Sequence, residues 1–108
     1  MVVIQIEPGV CGFRTMIQAN RIGDRRVRIE VESDCARISE LGEKLRDLGM
    51  REVLKIPMHQ NPVYEAAGSC RLHPSCPVPC GIIKAAEAAL DLALEKDVKI
   101  QFRKDAQE

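Results

Sequence analysis

From residue 26 to residue 32 the sequence changes character at every step. Val27, Ile29 and Val31 are apolar, while Arg26, Arg28, Glu30 and Glu32 are charged. A period of two marks an extended strand with one face in a core and the other in water. The segment before it supplies a neighbour: Phe13, Thr15, Ile17 and Ala19 alternate with Arg14, Met16, Gln18 and Asn20. Residues 21–25, holding Gly23-Asp24, form the turn, so the two strands make an antiparallel hairpin. Val2, Ile4 and Ile6 alternate with Val3 and Gln5 as a first short strand, ended by Pro8-Gly9.

After the hairpin the period changes. Ile38, Leu41, Leu45 and Leu48 recur at intervals of three, four and three, which predicts a helix capped by Ser33 or Asp34 and stopped by Gly49. Val53, Leu54 and Ile56 read as a short buried strand or a loop before Pro57, and Pro62 can open a short helix through Tyr64 and Ala67. A last helix is expected from about Pro79 to Glu95, with Ile82, Ile83, Ala86, Ala89, Leu90, Ala93 and Leu94 on its apolar face. Val98, Ile100 and Phe102 then alternate with Lys99, Gln101 and Arg103 as a final strand, before a polar tail from Lys104. The order predicts a single α+β domain over residues 1–108. Its mainly antiparallel sheet would hold three N-terminal strands plus a C-terminal strand, with helices packed on one face.

The chemistry lies in the cysteines. His73, Cys76 and Cys80 fall within eight residues, and the prolines among them oppose helix before Pro79. A thiolate at a helix start is favoured by free N–H groups and the positive end of the macrodipole. Cys35 falls in the first turn of its predicted helix, and Cys11 sits in the Gly9-Val10-Cys11-Gly12 loop. The chain goes out and back through one hairpin between Cys11 and Cys35, and the last helix must pack on the same sheet. Its N-terminal thiols can therefore reach the same edge. Thiolates are the donors that soft and borderline metals need. The candidate ligands are Cys11, Cys35 and Cys76 or Cys80, with His73 or Cys70 completing four. Cys70 is equally well read as a small buried residue, and His59, with no thiol near it in sequence, as exposed.

Composition narrows the alternatives. The 16 basic and 16 acidic residues cancel, and the aromatics are only Phe13, Tyr64 and Phe102. Neither a basic footprint nor stacking platforms for nucleic acid are present, nor a charge imbalance for an acidic membrane surface. No apolar run approaches the roughly 20 residues of a membrane span, and the first six residues do not read as a signal peptide. A cytoplasmic location is expected, where five cysteines serve as ligands, redox groups or buried thiols rather than as disulfides.

The order of these features resembles that of the IscU/NifU N-terminal iron–sulfur scaffold proteins (SufE/NifU-like). Val10-Cys11-Gly12 is similar to that family's Ala-Cys-Gly-Asp. Asp34-Cys35-Ala36 stands where the family has Gly-Cys-Gly and a helix, and residues 80–86 are similar to its His-Cys-Ser-x-Leu-Ala run. The resemblance covers roughly residues 9 to 95. It implies an iron–sulfur cluster, a cysteine desulfurase as sulfur donor and apo-protein acceptors as partners. Three departures stand beside it. Phe13 replaces the family's aspartate, the Leu-Pro-Pro-Val-Lys docking motif is absent, and Pro74 and Ser75 separate His73 from Cys76. The same ligands would serve a zinc site of three cysteines and a histidine or of four cysteines. Two metal-free readings complete the set. One is an interaction domain with buried cysteines; the other is a sulfur-transfer protein with Cys35 or Cys11 as nucleophile and His73 as base.

Overall fold

The computed structural model describes residues 1–104. Four antiparallel strands lie in the order β1-β2-β3-β4: β1 Val2–Ile6, β2 Thr15–Arg21, β3 Arg26–Ser33 and β4 Asp47–Gly49. The alternation sorts the hairpin as its sequence requires. Thr15, Ile17, Ala19, Val27 and Ile29 are buried, while Arg28 and Glu30 face water. Register aligns Ile4, Ile17 and Val31 in one row across the sheet, and Val2, Ala19 and Ile29 in the next.

Two helices cover that apolar face. α1 (Ala36–Lys44) lies on β3 through Ile38 and Leu41; α4 (Val78–Ala89) lies on β1 and β2 through Ile82, Ala85 and Ala86. Between them in sequence come a single helical turn, α2 (Met50–Val53), a 3-10 turn at Met58–Gln60, and α3 (Pro62–Ser69), which packs beside α4. The fold is α+β, with a four-stranded antiparallel sheet and its main helices on one face. Among the described residues no helix is long and apolar enough to cross a membrane.

The fourth strand is not the expected one. β4 is Asp47–Gly49, cut from the C-terminal part of the predicted first helix. That helix ends at Lys44, and the chain turns back so that the Ile29 N–H donates to the Arg46 carbonyl at 2.8 Å and Leu48 pairs with Val27. Leu48 is buried either way; what decided between helix and strand is the unpaired edge of β3, which a short extended segment can satisfy and a helix cannot. Residues 98–102, expected as the C-terminal strand, pair with nothing in the sheet: Val98, Ile100 and Phe102 are 58%, 88% and 97% exposed. The short strand expected at Val53, Leu54 and Ile56 is absent, and Val53 instead ends α2, where the Glu52 carboxylate accepts from the Gly49 N–H at 2.8 Å. The last helix stops at Ala89 rather than Glu95. Asp91 turns left-handed (φ 60°), and the Leu92 N–H reaches back to the Glu87 carbonyl at 2.8 Å, closing a Schellman-type end. The polar tail after Lys104 lies outside the described residues.

Candidate functional site

The row Ile6–Thr15–Ser33 marks one end of the sheet. Three cysteines from distant parts of the chain arrive there. Cys11 lies in the loop joining β1 to β2, and Cys35 follows β3 by two residues. Cys76 precedes α4, whose first turn is pressed on the same end: a Cβ on Gly81 would collide with Cδ1 of Ile6 and stand 3.4 Å from Cδ1 of Ile17. Their proximity is felt electrostatically. Ionisation of Cys76 is opposed by the thiolate charges of both Cys11 and Cys35. The hairpin and the first turn of α4 thus place Cys11, Cys35 and Cys76 toward the same end of the sheet.

Each thiol is positioned differently. The Cys11 loop depends on two glycines in the left-handed region, Gly9 (φ 88°) and Gly12 (φ 72°), with the Gly12 N–H bonded to the Gly9 carbonyl at 3.0 Å. Cys11 itself is exposed, between exposed Val10 and Phe13. Cys35 is half-buried and stands at the N-cap of α1 rather than inside its first turn, and its side chain makes no cap hydrogen bond. Its backbone is fixed by Ser33, whose Oγ accepts from the Cys35 N–H at 3.2 Å and from the buried Thr15 hydroxyl at 3.0 Å. The Ser39 hydroxyl donates to the Ser33 carbonyl at 3.0 Å, closing the junction from the helix side. Cys76 is half-buried in a turn in which its N–H donates to the His73 carbonyl at 2.9 Å.

The chemistry of Cys76 differs from the expectation for a helix start. Burial is the largest influence and pushes its pKa up. The Val78 N–H, free at the start of α4, hydrogen-bonds the sulfur and pulls the other way, while Cys11 and Cys35 add to the rise. Desolvation and like charge together outweigh the helix terminus. At neutral pH, Cys76 holds its proton unless something positively charged arrives.

The remaining candidates are placed elsewhere. Cys70 caps the C-terminus of α3 and is 4% exposed within the apolar core, the environment of a structural thiol. Cys80 is exposed in the first turn of α4 and lies by Tyr64 of α3, where its charge adds to burial in raising the Tyr64 pKa. His73 and His59 are both exposed. Of the two cysteines left open by the sequence, Cys76 is the one whose pKa is raised in part by the charges of Cys11 and Cys35. Among the described residues, no group of three or more His, Cys, Asp or Glu side chains stands at metal-coordinating spacing. The thiols are neighbours without being a closed ligand set. The Thr15–Ser33 pair escaped the sequence reading. Its only signal is a serine two residues before Cys35, the spacing at which a hydroxyl reaches a backbone N–H.

The model of a family described as "Family of unknown function (DUF6951)" matches residues 2–102, nearly the whole chain, and the chain belongs to that family. No protein of curated function and no solved structure matches it.

Proposed function

We propose that this member of the DUF6951 family binds an iron–sulfur cluster or a soft metal ion such as zinc through the thiolates of Cys11, Cys35 and Cys76. What supports the reading is the placement of these thiols by three separate elements toward one end of the sheet, with the charges of Cys11 and Cys35 contributing to the raised pKa of Cys76. Three thiols in one place repel one another as they ionise. A bound cation reverses that balance, and its affinity rises as the protons leave. The donor chemistry fits a soft metal. His73, next to the turn that holds Cys76, is the nearest candidate in sequence for a fourth donor. The bound group would supply Lewis acidity or electron storage; the chain's own part is to present three thiolates and to shield one of them from water.

In a scaffold or carrier role in a reducing cytoplasm, a cysteine desulfurase would supply sulfur and apo-protein acceptors would receive the cluster. Phe13, at the position of the aspartate in the scaffold proteins that the chain resembles, favours holding a cluster over releasing it.

The test is iron, zinc and acid-labile sulfide analysis of protein purified without oxygen, repeated after anaerobic reconstitution. Cys11→Ser, Cys35→Ser and Cys76→Ser should each lower the stoichiometry sharply, while Cys80→Ser, at an exposed position beside Tyr64, should leave it unchanged. Unchanged metal content in Cys35→Ser removes the site. The open spacing of the thiols favours one second reading, sulfur transfer without metal. In that case a mild alkylating agent would label Cys11 or Cys35 selectively in a protein that takes up neither iron nor zinc.

A further inference from the structure

Two strand-forming surfaces of this chain lack partners within the described residues. β1 ends the sheet, so no strand pairs with the backbone N–H and C=O groups of its outer edge. Its inward residues Ile4 and Ile6 are only half-buried, and Val3 on the other face is 45% exposed. The opposite edge, β4, is three residues long and offers little to a fifth strand. Beyond α4, residues 98–102 carry the alternation of a strand, with Val98, Ile100 and Phe102 separated by Lys99 and Gln101. This segment stands clear of its own domain, and Leu94, just before it, is 81% exposed. The molecule is correspondingly long, 48 × 29 × 26 Å, with a radius of gyration of 14.1 Å against about 13 Å for a compact chain of this length.

We propose that two copies of this chain exchange C-terminal strands, with residues 98–102 of one protomer adding to β1 of the other. The match is specific in three respects. The segment and β1 are the same length, five residues each. Placed beside β1, Val98, Ile100 and Phe102 continue the inner face past Ile4 and Ile6, while Lys99 and Gln101 join Val3 and Gln5 on the outer face. Each chain carries one donor strand and one edge long enough to take it, so reciprocal exchange around a two-fold axis pairs both, with residues 98–102 becoming the new edge of each sheet. An unrelated peptide would fill the edge but leave the chain's own apolar segment in water. The hinge is residues 92–97, after the Asp91 turn that Arg21 holds at 3.1 Å against the end of β2.

The experiment is sedimentation equilibrium of the full chain under reducing conditions, which exclude disulfide-linked dimers. It is combined with isotope-filtered NMR on a mixture of labelled and unlabelled protein. The expected result is a dimer with inter-chain NOEs between residues 98–102 and Val2–Ile6. Ile100→Pro removes an N–H from the middle of the added strand and should weaken the dimer by about 100-fold. Because position 100 lies outside the core, the variant should keep the amide dispersion of the four-stranded sheet. A chain that stays monomeric overturns the proposal. So does a dimer without those NOEs, NOEs found only within one chain, or an Ile100→Pro variant that loses the sheet itself.

Discussion

Asn61 is 3% exposed, and its side-chain amide joins the end of α2 and the residues after it to the start of α3. Its Oδ1 accepts from the Val63 N–H at 2.9 Å, capping α3, while its Nδ2 donates to the carbonyls of Glu52, Val53 and Lys55 at 3.1, 3.1 and 3.2 Å. Asn61→Ala removes the cap, worth about 1 kcal/mol. It also leaves buried carbonyls without a donor, at about 1 kcal/mol or more for each group that water cannot reach. The expected loss is about 3 kcal/mol. Asn61→Asp separates the two contributions. Aspartate is as good an N-cap as asparagine, so a cap-only account predicts no change. Here a largely buried carboxylate would face three carbonyl oxygens with no proton to offer. At neutral pH its loss should equal or exceed that of Asn61→Ala. Burial and the carbonyl dipoles would raise the pKa of the introduced carboxyl, so the deficit should shrink as pH falls and the group regains a donor. Urea unfolding of the three proteins at neutral and acid pH measures this. An Asn61→Asp protein within about 0.5 kcal/mol of the parent at neutral pH would refute the assignment of the amide as a clamp.

Four further outcomes can be measured. Gly42→Ala places a Cβ 2.8 Å from Cβ of Val31, an atom with no freedom to move aside. Lifting α1 off β3 should cost about 1–3 kcal/mol against a helix-propensity gain of about 1 kcal/mol, a net loss readable in urea. Asp91→Gly relieves a left-handed non-glycine residue and sacrifices only an ion pair whose carboxylate is 85% exposed. It should stabilise the fold by about 1 kcal/mol, seen as a rise of roughly 4 °C in Tm. The raised pKa of Cys76 has a definite sign in stability: the folded protein keeps this proton at pH values where the unfolded chain loses it. Stability in the absence of metal should therefore fall as pH rises past the ordinary thiol range towards the folded pKa, and Cys76→Ser should flatten that slope. Alkylation of Cys76 should shift to lower pH when Cys11 and Cys35 are both replaced by serine, with burial still holding it above an unperturbed thiol.

How far the sequence could be read depended on whether a residue's environment is local. The period of two in residues 26–32 can bury only one face, so β3, its partner β2 and the identity of the core residues Ile17, Val27 and Ile29 were legible directly. The helical spacing of Ile38 and Leu41 was equally so. Leu45 and Leu48 continue that spacing, and nothing within reach of the local chain says that it stops at Lys44. The competing demand came from unpaired backbone on β3, a groove that exists only once the hairpin has folded. At the C-terminus the local pattern is not enough either: residues 98–102 have the alternation of a strand but pair with no strand of the described sheet, although β1 keeps an open edge.

The thiol site divides along the same line. The hairpin between Cys11 and Cys35, and the need for the last helix to cover the sheet, are local features from which an approach of the thiols to one sheet end was expected. Helix geometry separates the two thiols near α4: Cys80 stands in its first turn by Tyr64, and Cys76 stands ahead of the helix, where the charges of Cys11 and Cys35 contribute to its raised pKa. The reactivity of Cys76 was likewise beyond the sequence. A free N–H at a helix start is a local property, whereas desolvation and the charges of two distant cysteines exist only in the folded chain, and together they prevail. Periodicity alone determined which residues face inward. Backbone pairing and burial, which depend on parts of the chain far apart in sequence, decided where elements end and which cysteines meet.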